Sequence, residues 1–335
     1  MALTSIGVVG AGAWGTALAQ VAAKAQEKHE AGVALWCRDP TAAAAINQTR
    51  ANDKRLPGVP LAANVRATSV LDELGSCELL LIATPAQAMR SVLHQLLPHM
   101  QAGVRIVVTA KGLERGTAAF MTEVIGDVCP NCTPLVLSGP SFADDVVRGL
   151  PTAVTLAAAS IQVAREVADA ISIPTFRLYV SDDLIGAQVG GAIKNVLAIA
   201  SGIVVGRKLG ESARAAVIAR SFAELNRIGR VLGGRSDTLS GLSGLGDLVL
   251  SCSSAQSRNF RLGQALGEGQ ALHEILGRQR GTSEGAYTAA VVDSLAKKHG
   301  IEVPIVTAVN DILESRCTVD TAIERLMQRP LTSET

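Results

Sequence analysis

The sequence predicts a doubly wound α/β sheet followed by an all-α domain, and three observations carry that reading. Short continuous apolar runs recur through the first half of the chain, bounded by turn residues and separated by helical stretches, as parallel strands buried on both faces require. A glycine-rich turn joins the first of these runs to the first helix. After about Ser181 the strand-like runs disappear and helical spacing takes over. The 335 residues are more than one core fills, because cores stop growing near ~250–300 residues. The boundary is therefore drawn between a nucleotide-type domain of residues 1–184 and an all-α domain of residues 185–335.

Taken in order, residues 4–9 (TSIGVV) read as a buried strand, and 16–25, rich in alanine, as a helix. Residues 33–37, 77–83, 104–110 and 133–137 read as further strands, with helices at 86–97 and 118–128 between them. Residues 152–157 and 175–179 are expected to add strands at an edge. The second half reads as helices at 184–205, 212–232, 261–266, 272–276, 285–299, 304–313 and 319–328. Glycine-rich joints at Gly233-Gly234, 241–246 and 267–269 separate several of them.

Composition excludes some classes of function. Hydrophobic residues make up 48% of the chain and charged residues 18%, a globular balance. Aromatics are only 3%, so the core must be aliphatic, and its alanines and glycines suit close helix packing. With 31 basic and 30 acidic residues the net charge is +1, and no basic stripe points to nucleic acid. The longest apolar stretch, 196–205, is about half the ~20 residues of a membrane span, and no signal peptide is visible, so a cytoplasmic protein is expected. Of the six cysteines, Cys129 and Cys132 form a CxxC, but no second CxxC or nearby histidine completes a metal site.

Gly10-Ala11-Gly12-Ala13-Trp14-Gly15 matches GxGxxG in the strand–turn–helix setting that makes it a dinucleotide fingerprint, so the sheet is of Rossmann type. Gly10 permits the tight turn, Gly12 lets backbone approach a pyrophosphate, and Gly15 lets the helix pack on the strand. Trp14 reads either as a flat wall beside the dinucleotide or as packing under the first helix. The second strand ends in Arg38-Asp39, where NAD-selective folds place an acid about 20 residues on. Arg38 suits a 2′-phosphate and favours NADPH, while Asp39 keeps NAD in play.

Polar residues follow the strands where ligands of such sheets bind: Thr84 to Gln87, Lys111-Gly112, and Ser138 to Ser141. Lys194 lies in an almost wholly apolar helix, where partial desolvation would lower its pKa toward that of an acid/base near neutrality, and Asn195 stands beside it. A second glycine-rich loop, GLSGLGD, ends at Asp247, and Ser257-Arg258-Asn259 open a further helix as a compact cradle for an oxyanion.

Together these segments resemble bacterial-type NAD(P)-dependent glycerol-3-phosphate dehydrogenase over residues 5–328. The blocks that carry the resemblance are GAGAWGTALA (10–19), ATPAQ (83–87), AKGLE (110–114), LSGPSFA (137–143), GLPTAV (149–154), GAIKNVLAIASGI (191–203), GLSGLGDLVLSC (241–252) and QSRNFRLG (256–263). The resemblance implies that Lys194 and Lys111 are catalytic. It implies that Gly139, Ser141, Asp247, Ser257, Arg258 and Asn259 contact substrate together with the two lysines. It further implies that Gly10, Gly12, Ala13, Trp14, Gly15, Arg38, Lys111, Ala143, Arg258, Thr282 and Glu284 contact the cofactor. A homodimer, no metal, and a supply of glycerol 3-phosphate for phospholipid synthesis are implied as well. Three positions depart from the family pattern: Ser212 in place of asparagine, Ser251 in place of threonine, and polar Thr282-Ser283 before Glu284. A hydroxy-acid dehydrogenase of related fold is the alternative, with Arg258 gripping a carboxylate. A non-catalytic dinucleotide sensor and a thiol redox protein using Cys129 and Cys132 are weaker ones.

Overall fold

In a computed structural model, which describes residues 3–278 and 284–330, eight strands form one sheet. They are β1 (Ile6–Val9), β2 (Val33–Trp36), β3 (Val65–Thr68), β4 (Leu79–Ile82), β5 (Arg105–Val108), β6 (Thr133–Ser138), β7 (Thr152–Ala158) and β8 (Phe176–Ser181). Their order is β3-β2-β1-β4-β5-β6-β7-β8, and all neighbours run parallel except β6 and β7. The order turns back at β1, between β2 and β4, so a crevice opens at the carboxyl ends of β1 and β4.

The helices of this half are α1 (Ala13–Gln26), α2 (Pro40–Thr49), α3 (Met89–Leu96), α4 (Met121–Val128), α5 (Ala143–Val147) and α6 (Ile161–Ile171). The period of two in the strands divides the core. Ile6, Val8, Leu79, Leu81 and Val107 face the side covered by α1 and α6. Val9, Leu80, Ile82, Ile106 and Val108 face the side covered by α3 and α4. Each such side chain contributes roughly 1.5–3 kcal/mol on burial, before conformational entropy is set against it.

The second half contains α7 (Leu184–Gly206), α8 (Glu211–Val231), α9 (Ser236–Ser240), a π turn (Leu242–Gly246), α10 (Asp247–Ser253), α11 (Arg258–Gly267), α12 (Leu272–Arg278), α13 (Glu284–Lys298), α14 (Pro304–Leu313) and α15 (Val319–Met327). α7 is long and apolar enough to cross a membrane, but here it is the buried core around which the others pack. Gly202 and Gly206 of α7 meet the carbonyls of Phe260 and Gln264, while Gly263 and Gly267 of α11 meet those of Ile199 and Ile203. A methyl at any of the four would collide with backbone. The four-residue spacing puts each pair of notches on one helix face, so α11 lies directly on α7.

Several expectations need correction. β3 was not expected, because its four residues include exposed Arg66 and show no long apolar run. α2 was not expected either: its alanines, threonine and asparagine lack apolar periodicity, and it is started by the Asp39 cap and Pro40. α5, α6, α9 and α10 were also missed. The helix expected from 118 begins at Met121, since Ala118 takes φ +58°, and Glu123 accepts a hydrogen bond from the Phe120 N–H at 2.7 Å. The helix expected from 261 starts three residues earlier, at Arg258, capped by Ser257. The glycine loop expected at 241–247 is instead a π turn running into α10.

Candidate active site

The glycine turn is shaped by sterics. Gly10 takes φ +114°, and its N–H donates to the Trp36 carbonyl at 3.1 Å. A methyl on Gly15 would strike the Gly10 carbonyl oxygen, whereas one on Gly12 would meet no protein atom within 4 Å. α1 begins there without a side-chain cap and without an acid in its first turn, so its first N–H groups are left for an external anion. Further along the crevice the hydroxyls of Thr84 and Ser138 are buried and have no hydrogen-bond partner among the described residues. Open backbone at Gly12, an uncapped helix start and orphaned hydroxyls at the strand ends fit a dinucleotide lying across the sheet.

Past the end of β2, Asp39 caps α2, its Oδ1 accepting from the Thr41 N–H at 3.0 Å. Arg38 beside it is exposed and makes no ion pair among the described residues. Trp14 is half-buried and packs on Phe176 of β8, with ring centroids 6.5 Å apart.

At the other end two lysines share one carboxylate. Asp247, the first residue of α10, is fully buried. Its Oδ2 accepts from Lys111 Nζ at 2.7 Å, and its Oδ1 accepts from Lys194 Nζ. Lys194 also donates to Ser251 Oγ at 2.8 Å, and Lys111 to the Gly139 carbonyl at 3.0 Å. Burial pulls the Lys194 ammonium down to about 8; Asp247 opposes that pull and Lys111 adds to it. Gly191, three residues before Lys194 on the same helix face, leaves the room in which Ser138 and the Lys111 stem fit. The structure thus brings Lys111, Gly139, Lys194 and Asp247 together from four separate elements. Ser251, one of the departures, joins them directly, whereas Ser212 is exposed at the start of α8.

The oxyanion cradle is less open than the sequence suggests. The Ser257 hydroxyl accepts from the Phe260 N–H at 3.3 Å, capping α11. Asn259 is buried, with Nδ2 donating to Asn195 Oδ1 at 3.0 Å and Oδ1 accepting from the Gly285 N–H at 3.1 Å. Of the three, Arg258 alone is exposed. Glu284 turns its carboxylate to the backbone, accepting from the Ala86 and Lys111 N–H groups at 3.3 Å each. Ser141 donates to the Gly139 carbonyl at 3.1 Å, and Ala143 opens α5. Thr282 lies outside the described residues. The pairing of Asn195 with Asn259 was not foreseen; both residues stand in the recognised blocks, but nothing local announces their contact. Burial pushes the Cys129 thiol up to about 12 and raises Cys132, which disfavours the thiolate that redox chemistry uses.

Two family models match the chain: NAD-dependent glycerol-3-phosphate dehydrogenase N-terminus over residues 5–164, and the C-terminus of the same enzyme over residues 183–324. The chain belongs to this family. A Parvibaculum lavamentivorans protein named glycerol-3-phosphate dehydrogenase (NAD(P)+) is 52% identical over 335 residues, covering 100% of this chain and 99% of its own length. A protein of the same name from Azorhizobium caulinodans is 53% identical, covering 99% of each chain. The crystal structure of glycerol-3-phosphate dehydrogenase from Coxiella burnetii superposes with a TM-score of 0.91 at 38% identity, covering 97% of this chain and 98% of that one. In this glycerol-3-phosphate dehydrogenase family member, the paired lysines lie beyond the carboxyl ends of the strands, against the helical half.

Proposed function

We propose that this chain interconverts dihydroxyacetone phosphate and sn-glycerol 3-phosphate with NAD(P)H, and that Lys194 is its acid/base. The observation that carries this reading is the buried Lys111–Asp247–Lys194 cluster at the mouth of the dinucleotide crevice. Gly10, Gly12, Ala13 and Gly15 would hold the pyrophosphate, with Arg38 toward a 2′-phosphate, Trp14 and Ala143 alongside, and Lys111, Arg258 and Glu284 toward the reducing end. The bound nicotinamide supplies or takes the hydride.

The chain's own groups do the rest. The two lysines and one carboxylate leave the cluster with a positive balance, which draws an anionic triose and stabilises negative charge growing on its carbonyl oxygen. With an ammonium pKa near 8, Lys194 can give a proton to that oxygen during reduction and take it back during oxidation. Asp247 and Ser251 orient Lys194 for this transfer. Arg258, exposed at the start of α11, is free to fork onto the substrate phosphate. Gly139, Ser141, Ser257 and Asn259 line that region, with one Asn259 N–H left for substrate. The same reading carries a preference for NADPH, a homodimer, a cytoplasmic location and a product that feeds phospholipid synthesis.

The test is the purified protein mixed with dihydroxyacetone phosphate and NADPH, or NADH, followed by loss of nicotinamide absorbance. Turnover with NADPH well above NADH is the expected result. Turnover only with keto acids would replace this reading with the hydroxy-acid one.

A further inference from the structure

Lys111 is held on both sides of its peptide by the helical half. Its N–H donates to Glu284 Oε2 at 3.3 Å, and its carbonyl accepts from Asn195 Nδ2 at 2.9 Å. Asn195 Oδ1 accepts from Asn259 Nδ2 at 3.0 Å, and Asn259 Oδ1 accepts from the Gly285 N–H at 3.1 Å. Gly285 is the chain neighbour of Glu284, so the circuit closes on itself: Lys111, Asn195, Asn259, Gly285, Glu284 and back to Lys111. It joins the loop after β5 to α7, α11 and α13. The other Glu284 oxygen ties the Ala86 N–H after β4 into the same ring at 3.3 Å.

The ring depends on a missing side chain. A methyl on Gly285 would lie 2.8 Å from Asn259 Oδ1 and closer still to the Asn195 carbonyl, in a region where Asn195, Asn259 and Gly285 are all buried. Two carboxamides buried together are fixed in orientation only if both ends of each are satisfied, and here each link sets the next. A lysine has four rotatable bonds and cannot aim itself from a mobile loop. Pinning its peptide at N–H and carbonyl leaves Nζ to settle between Asp247 and the Gly139 carbonyl.

We propose that this hydrogen-bond ring positions Lys111, and that Gly285 and Asn195 are its positioning residues. The proposal rests on the function proposed above only in taking Lys111 to act in the reaction; the aim of the side chain is a separate claim. The substitutions are Gly285→Ala and the isosteric Asn195→Asp, which keeps an acceptor for Asn259 but cannot donate to the Lys111 carbonyl. Each is made in the full-length protein, alone and together with Lys111→Met.

Turnover of dihydroxyacetone phosphate should fall about 10–100-fold in either single variant, as a misplacement of about 1 Å does, while NADPH affinity by fluorescence titration holds close to wild type. On the Lys111→Met background the same changes should cost little more, because their effect passes through the lost side chain. Costs that multiply fully on that background would overturn the proposal. A readout independent of turnover is acetylation of the Lys111 amine by acetic anhydride, followed by mass spectrometry, with exposed Lys28 as the internal reference. Lys111 should label several-fold faster in both variants once it is released from Asp247, and an unchanged rate would also overturn the proposal. If the labelling shifts but wild type turns over no triose phosphate, the ring stands and the proposed function falls.

Discussion

Where the sheet meets the helical half, Lys194, Asp247 and Ser251 are buried and bonded to one another, and Lys111 joins them with its side chain 17% exposed. Past the end of β2, Arg38 stands in solvent next to an aspartate already committed to capping α2. The first arrangement is fixed before any ligand arrives, so its groups lose little freedom when charge develops between them. The second is an unrestrained side chain that must be ordered by whatever it binds. Chemistry should therefore be lost abruptly when the buried end is altered, and cofactor preference should shift by degrees when the exposed end is altered.

The largest effect is expected at Lys194. Lys194→Ala should reduce turnover roughly 10²–10⁴-fold in steady-state assays, from acid/base loss alone. Near-normal turnover would break the contrast at its stronger end. Asp247→Asn should show in stability as well as in rate, because it leaves two lysines without their counter-charge. Breaking a buried pair this way costs about 3–5 kcal/mol, read as a lowered midpoint in denaturant titration.

At the exposed end, Arg38→Ala should raise KM for NADPH about 10–100-fold, the worth of a charge-assisted contact, and leave KM for NADH nearly unchanged. An equal effect on both cofactors would mean that Arg38 stacks on adenine and does not read the 2′-phosphate.

The pH profile sharpens the same comparison. With Lys194 as the proposed acid/base, kcat/KM for reduction should fall as pH rises through about 8, and that for oxidation should rise through the same value. A flat profile across that range would show that burial does not tune this amine.

The smallest effect is expected away from both ends, at Glu224 of α8. Its buried carboxylate accepts from the Ile305 and Val306 N–H groups at 2.7 and 3.1 Å, and burial raises its pKa from 4.5 to about 7. A carboxyl raised in the folded state contributes stability that is complete below its unfolded pKa and lost as pH rises through the folded one. Glu224→Gln should therefore flatten the fall in thermal midpoint between about pH 4.5 and 7.

Much of this was legible without coordinates. The apolar runs of β1, β4 and β5 and the glycine turn depend on neighbours within a few residues, and so did their reading. The exception within the sheet is β3, whose exposed Arg66 interrupts the pattern because its strand borders solvent. Lys194 stood out because a charge in an apolar helix is conspicuous in one dimension. Asp247 was legible as the acid closing a glycine-rich loop, but its pairing with Lys194 was not, since the two lie 53 positions apart and the π turn that aims the carboxylate has no sequence signature of its own.

The sequence by itself determined the two-part architecture, the dinucleotide turn and the identity of the residues that gather at the crevice, because backbone geometry and burial follow from residue size, polarity and period. Only the tertiary structure decided what those side chains hold. It set Trp14 against Phe176, directed Glu284 to two backbone N–H groups and closed Asn195 and Asn259 on each other. A hydrogen-bonding side chain takes whichever partner packing brings within about 3 Å. In this chain those partners come from elements remote in sequence, and α11 lying directly on α7 is what brings Asn195 and Asn259 together.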